Sequence, residues 1–296
     1  MCVIAAKYFD EIGWVAVKNR DRNYTPEISF ERINDKNGIE RLLFEDDVTK
    51  YMEGINSEGV GILSASLMVQ DDEKEITKHT KEKSPDGERI RRALQMPTAE
   101  SAAKACAEYQ LTGNSVIIDR EHCFLLESCN DANGDYHYVL REIPQDHTVA
   151  RTNHGVWLQW AGYQRDPKNE NGTLSRISSE ARRLQAQAVV RTADDPEDLI
   201  DGLCQVYVTN PQMNVMRTST ERKKMRTTAQ IMLIPSEETM FVRPVSSNIT
   251  FDFWKLNRPG ADTWVEILSN RALYRKIRDT DPPFGEISPE HQVDHS

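Results

Sequence analysis

Apolar residues in this chain come in short runs that pair off across polar turns, and this pairing limits the fold more than any other feature. Residues 2–8 (CVIAAKY) and 13–18 (GWVAVK) form one pair, punctuated by Asp10 and Gly13, and read as a hairpin. Residues 229–234 (AQIMLI) and 239–245 (TMFVRPV) form another, joined by Pro235-Ser236-Glu237-Glu238. Residues 115–119, 123–128 and 136–143 read as three strands linked by polar turns, and 60–69 (VGILSASLMV) follows the turn Asn56-Ser57-Glu58-Gly59. Helical spacing is confined to other stretches: 87–95, where Ile90 and Leu94 lie four apart; the Ala-rich 98–109 behind the cap residue Thr98; 176–191; and a segment to about 205 opened by Asp194-Asp195-Pro196. Strands in hairpins and helices in separate groups predict an α+β fold of antiparallel sheets with helices layered outside, not a doubly wound parallel sheet. Residues 71–85 are expected to form an exposed charged loop, and the polar tail from 277 to 296 is expected to be mobile, leaving 2–276 as a single domain.

Composition removes several function classes. The chain has 296 residues, 38% hydrophobic and 28% charged, which suits a globular protein. Its formal net charge of −10 gives no general attraction to phosphate backbones, so no nucleic-acid partner is expected. Basic bursts such as Arg89, Arg91, Arg92 and Arg222, Lys223, Lys224, Arg226 read as solvated faces. No run approaches the ~18 apolar residues of a membrane span, so no membrane partner is expected. The opening MCVIAAKYFDEIGW lacks a basic leader region, so a cytoplasmic location is expected. Five cysteines without a CxxC pair argue against a disulfide framework or a zinc ribbon. His147 and His154 fit no common ligand spacing and there is no Gly-rich phosphate loop, so neither metal nor cofactor is expected. Whether the chain self-associates as a homo-oligomer is left open.

Cys2 is the residue with chemical promise. Methionine aminopeptidase removes Met1 before a small second residue, and the new terminus would then carry a thiol and an α-amine together. Their ordinary pKa values, about 8.5 and about 7.7–8, suit a nucleophile and a base near neutrality. Lys18-Asn19-Arg20-Asp21 ends the second strand of the first hairpin, which sets cations and a carboxylate across from Cys2. The other cysteines, Cys106, Cys123, Cys129 and Cys204, sit in apolar stretches and read as inert buried thiols.

Five segments in order carry a resemblance to a known family: Met1-Cys2; Lys18-Asn19-Arg20-Asp21; Gly54-Ile55-Asn56-Ser57-Glu58-Gly59-Val60; Arg151-Thr152-Asn153-His154; and Leu174-Ser175-Arg176. Together they resemble the cysteine branch of the N-terminal-nucleophile (Ntn) hydrolases, the group of bile salt hydrolase, penicillin V acylase, acid ceramidase and the acyl-coenzyme A:6-aminopenicillanate acyltransferases. The resemblance spans roughly residues 2–245 and has departures. Lys18 stands where the family has Arg, which keeps the charge and loses the planar fork. Arg22 replaces the Glu of the related Asn-Arg-Asp-Glu group, and Gly155 replaces an aromatic after His154.

The resemblance implies a four-layer αββα sandwich and a set of roles. Cys2 would be the nucleophile, Asp21 the holder of its α-amine, and Asn153 an oxyanion donor. A second oxyanion donor would lie near Ser66, and Arg176 would help hold the charge network. Lys18 or Arg20 would face the thiol, a choice the sequence leaves open. Trp157, with Trp160 and Tyr163, could line an acyl pocket or simply pack. The implied reaction is hydrolysis of a small-molecule, non-peptide N-acyl amide through a thioester. The alternatives are acyl transfer to an amine, and a non-catalytic binding protein on the same fold.

Overall fold

The computed structural model describes residues 2–24, 26–34, 38–67, 85–165, 168, 170–205, 208–218, 225–246, 249–250, 253–256, 265–268 and 294–295. In chain order the strands are β1 (Cys2–Phe9), β2 (Gly13–Arg22), β3 (Ile28–Asn34), β4 (Glu40–Asp46), β5 (Tyr51–Asn56) and β6 (Gly61–Ala65). Helices α1 (Pro85–Ala93) and α2 (Ala99–Glu108) precede β7 (Gly113–Ile118), β8 (Cys123–Asn130), β9 (Tyr136–Ile143) and β10 (Val149–Arg151). Helices α3 (Glu170–Thr192) and α4 (Pro196–Gly202) lead to β11 (Arg226–Ile234), β12 (Thr239–Ser246), β13 (Ile249–Thr250), β14 (Phe253–Leu256), β15 (Val265–Leu268) and β16 (Asp294–His295).

These strands make two eight-stranded sheets. The first runs β10-β1-β2-β11-β12-β14-β15, with β13 on β12; the second runs β16-β3-β4-β5-β6-β7-β8-β9. All pairings are antiparallel except the two-residue contact of β16 with β3. Helices α1 and α2 pack on the second sheet against β5, β7 and β8, while α3 and α4 pack on the first against β1, β10 and β2. The layers are therefore helix, sheet, sheet, helix, the αββα sandwich expected from the sequence. Residues 71–84 of the expected charged loop and 277–293 of the expected tail lie outside the described residues.

Strand alternation builds three apolar layers from one sequence. On β1, Ile4 and Ala6 point between the sheets while Val3 and Ala5 point at the α3–α4 layer. On β2, Trp14 and Ala16 join the first set and Val15 and Val17 the second. The third layer puts Leu43, Ile62, Ile117 and Leu126 against Ile90, Leu94 and Cys106 of the α1–α2 side. The cap residues act as expected: Thr98 forms a capping box with Ser101, and Asp195 caps α4 ahead of Pro196.

Hydrophobic patterning marks no element between residues 24 and 55, and there the structure places β3, β4 and β5. Buried charges explain the gap. Glu40, Arg41, Glu45, Asp46 and Glu53 are all buried strand residues, so apolar alternation is broken where ion pairs replace apolar contacts.

The Gly54–Val60 segment is a structural clamp. The Asn56 Oδ1 accepts from the Glu58 and Val60 N–H groups at 3.0 and 2.8 Å, and its Nδ2 donates to the Leu94 and Met96 carbonyls, both at 2.9 Å. One side chain thus closes the β5–β6 turn and ties it to the chain leaving α1. Gly59 has φ +75°, and a Cβ there would meet the Pro235 carbonyl oxygen at 2.7 Å. Asn56→Ala strands buried backbone groups at both ends, so it is expected to cost about 3 kcal/mol in urea unfolding. A loss under about 0.5 kcal/mol would show that the clamp is dispensable.

Candidate active site

Pleating sorts the segment Lys18–Arg22 onto two faces. In the β1–β2 ladder Cys2 lies opposite Arg20, and Ile4 opposite Lys18. Lys18, Arg20 and Arg22 therefore continue the inner face of β2 with Ala16, on the side of the Cys2 thiol. Asn19 and Asp21 continue the helix-facing side with Val17. Both residues between which the sequence left a choice thus share the inner face.

Two acids serve the three inner cations. Lys18 forms a fully buried ion pair with Glu53, donates to the Ser64 carbonyl at 2.5 Å and lies over the Tyr51 ring at 5.1 Å. Arg20 donates to the Asp46 carboxylate at 2.6 Å and lies over Phe44. Arg22 donates through Nε to Tyr24 Oη at 3.1 Å and to Asp46 at 3.3 Å, and through Nη1 to the Asp21 carbonyl at 2.8 Å. The same Nη1 reaches the Cys2 Sγ at 3.8 Å. Sequence reasoning treated Arg22 only as a departure from a related motif. Its parity with Lys18 and Arg20 was the available signal.

These charges set the ionisation of the thiol. Burial pushes Cys2 up, and the positive charges of Lys18, the amino terminus and Arg22 more than reverse this, leaving it at about 6. Burial pulls Lys18 down to about 7 against the attraction of the Cys2 thiolate. Burial also opposes the charge on Asp46, but Arg20 and Arg22 hold it well below the usual carboxylate range. The other thiols go the opposite way: burial raises Cys106, Cys123 and Cys204 above the ordinary range and Cys129 to about 11.

The Asn153 segment supplies the second half of the site. The Cys2 N–H donates to Asn153 Oδ1 at 2.6 Å, and Asn153 Nδ2 donates to the Ser66 carbonyl at 2.6 Å. Met1 precedes Cys2 in this chain, so that donor is a peptide N–H; removal of Met1 would make the same atom an α-amine. Behind Asn153, its own N–H donates to Ser179 Oγ at 3.2 Å. His154 Nδ1 lies 2.8 Å from that hydroxyl and 3.0 Å from Thr152 Oγ1. Burial, with Arg176 and Arg183, pulls His154 down to about 4, which leaves it neutral at pH 7. Asn114 on β7 donates to the Thr152 and His154 carbonyls at 2.7 and 3.2 Å, fastening the segment to the second sheet.

Three expected residues are held by partners other than the thiol. Asp21, on the helix-facing side, accepts from Arg182 Nη2 at 2.5 Å and from Thr227 Oγ1 at 2.8 Å, with Arg217 Nε at 3.9 Å. Arg176 pairs with Glu180 at 2.7 Å and donates to the Tyr163 carbonyl at 3.0 Å. The α3 arginine that reaches Asp21 is Arg182, fully buried, which the amphipathic spacing of α3 could not single out from its neighbours. Trp157 packs against the inter-sheet layer, with the guanidiniums of Arg141 and Arg151 each 4.9 Å from its ring centre. Its loop is pinned by Glu127, which accepts from the Val156, Trp157 and Leu158 N–H groups at 2.6–3.0 Å.

No family model matches the chain, and no curated protein matches it. Among solved structures it is similar to penicillin V acylase from Agrobacterium tumefaciens, at 14% identity and a TM-score of 0.46, over 95% of this chain and 98% of that one. It is also similar to the C2A mutant of conjugated bile acid hydrolase from Clostridium perfringens, at 10% identity and a TM-score of 0.45, over 97% of this chain and 95% of that one.

Thiolate grows as pH rises through the thiol's pKa, so alkylation of Cys2 by iodoacetamide is expected to rise with a midpoint near pH 6. Peptide mass spectrometry at pH 7 should find Cys2 modified and Cys106, Cys123, Cys129 and Cys204 untouched in the folded protein. A Cys2 midpoint at about 8.5, that of an ordinary thiol, would mean that the neighbouring cations do not act on it.

Proposed function

We propose that the protein is an amidohydrolase acting on linear, non-peptide N-acyl amides, with Cys2 as an amino-terminal nucleophile after removal of Met1. The observation that carries this reading is the convergence on one residue. The Cys2 thiol has a low pKa beside Arg22 and Lys18, and the nitrogen of the same residue is already hydrogen-bonded to Asn153.

The thiolate attacks the amide carbon, a C–S bond forms, and the carbonyl π electrons move to oxygen. As the tetrahedral species collapses, the C–N bond breaks and the α-ammonium of Cys2 gives its proton to the departing amine. The thioester that remains is hydrolysed by water, which loses a proton to the same amine as it attacks. Asn153 holds that amine through Oδ1, and the Thr152–His154–Ser179 cluster fixes the orientation of Asn153. Asp21 contributes from the other face of β2, where Arg182 and Thr227 hold it under the backbone of the Arg20–Arg22 segment. No step calls for a metal or cofactor.

Intact mass should show a chain that begins at Cys2. Against bile-salt, penicillin V, N-acyl homoserine lactone and fatty-acyl amides, the wild type should turn over at least one, and Cys2→Ala should lose at least about 1,000-fold in rate. Hydroxylamine should intercept the thioester as a hydroxamate. Turnover that survives in Cys2→Ala, or a mature chain that keeps Met1, would remove the mechanism.

A further inference from the structure

We propose that Arg22 is a catalytic residue that stays paired with one migrating negative charge, first on the Cys2 sulfur and then on the carbonyl oxygen of the tetrahedral intermediate. This rests on the amidohydrolase reading above and adds to it the donor that meets the oxyanion.

Of the three cations on the inner face of β2, two are closed off. The side chains of Lys18 and Arg20 are 0% exposed, and their charges are engaged by Glu53 and Asp46. Arg22 is 15% exposed and is the one whose nitrogen reaches the sulfur, at 3.8 Å. Its Nε edge is anchored by Asp46 and Tyr24, whose hydroxyl itself donates to Asp46 at 2.5 Å. The anchor fixes the plane of the guanidinium, and Nη1, which gives one hydrogen to the Asp21 carbonyl, has its second for the thiol. Burial works against its charge, but the thiolate of Cys2, Tyr24 and Asp46 hold it firmly cationic.

Asn153 is committed elsewhere in this arrangement. Its Oδ1 accepts from Cys2, and its Nδ2 donates to the Ser66 carbonyl. A charged donor already beside the sulfur needs no such rearrangement. When the sulfur lone pair becomes the C–S bond and the π pair moves to oxygen, the negative charge passes to an atom on the same carbon. That displacement is smaller than the breadth of a guanidinium. Arg22 can therefore shift its N–H from sulfur to oxygen without moving its anchor, so the stabilisation is prearranged at the atom where charge develops.

A role limited to setting thiol ionisation is separable by choice of probe. Iodoacetamide displaces iodide from carbon and creates no oxyanion, whereas p-nitrophenyl acetate acylates the thiol through a tetrahedral oxyanion and releases p-nitrophenolate. Each protein is compared at least one pH unit above its own alkylation midpoint, where its thiol is ionised, because losing the charge of Arg22 raises that midpoint. There, Arg22→Gln should alkylate within about twofold of wild type and acetylate about 100-fold more slowly. Arg22→Lys keeps the charge without the fork. It should keep the alkylation midpoint near pH 6 and acetylate about tenfold more slowly, so it carries the test if the Gln variant fails to fold. Acetylation of both variants at the wild-type rate under those conditions would overturn the proposal and leave the amidohydrolase reading standing. A wild-type protein that alkylates at Cys2 but never acetylates would overturn both.

Discussion

The inner face of β2 holds three cations in the layer between two sheets, and everything around Cys2 depends on how that charge is compensated. Bringing an ammonium and two guanidiniums out of water is costly unless each meets a carboxylate with good geometry. The second sheet provides them: Glu53 from β5 reaches Lys18, and Asp46 at the end of β4 reaches Arg20 and Arg22. The two sheets are thus joined at this end by paired charges as well as by apolar contact. Buried pairs of this kind add little net stability, but losing one partner is severe, so they fix how the sheets sit against each other. The thiol takes advantage of a field that the fold maintains for its own assembly.

How much of this was legible in the sequence follows from the same chemistry. The β1–β2 and β11–β12 hairpins could be read because their buried faces are apolar and the turns between them are polar. The caps Thr98 and Asp195 could be read because short oxygen-bearing side chains at helix starts have a local job. Strands β3 to β5 could not, because Asp46 and Glu53 are buried by pairing with Arg20, Arg22 and Lys18, far away in sequence, and no local pattern announces a distant partner. The same limit applies to Arg22 and Arg182. Either could be a surface cation until the register places one beside sulfur and the other under Asp21. The family resemblance used Asn56 only as part of a motif and gave it no role; its four hydrogen bonds make it a clamp between β5, β6 and the end of α1.

The Asn153 segment shows a complementary economy of means. A side chain that holds the Cys2 nitrogen in place cannot be free to rotate. Here Ser179 from α3, His154 and Thr152 lock the backbone from behind, while Asn114 of β7 holds the flanking carbonyls. Two residues before Asn153, Arg151 on the edge strand β10 lies over the Trp157 ring, as does Arg141 on the edge strand β9, each with its guanidinium 4.9 Å from the ring centre.

The two-residue rhythm of β2 also limits how a lineage of such proteins can change. Adding or deleting one residue between Gly13 and Lys18 would turn the next five side chains inside out. Asp21 would be thrown toward the sulfur, and the guanidiniums would be thrown toward α3. No compensating point replacement could repair so many simultaneous reversals. The stretch from the first hairpin turn to Arg22 should therefore drift freely in identity at its apolar positions while its length stays frozen, and viable length changes should collect in the loops beyond it.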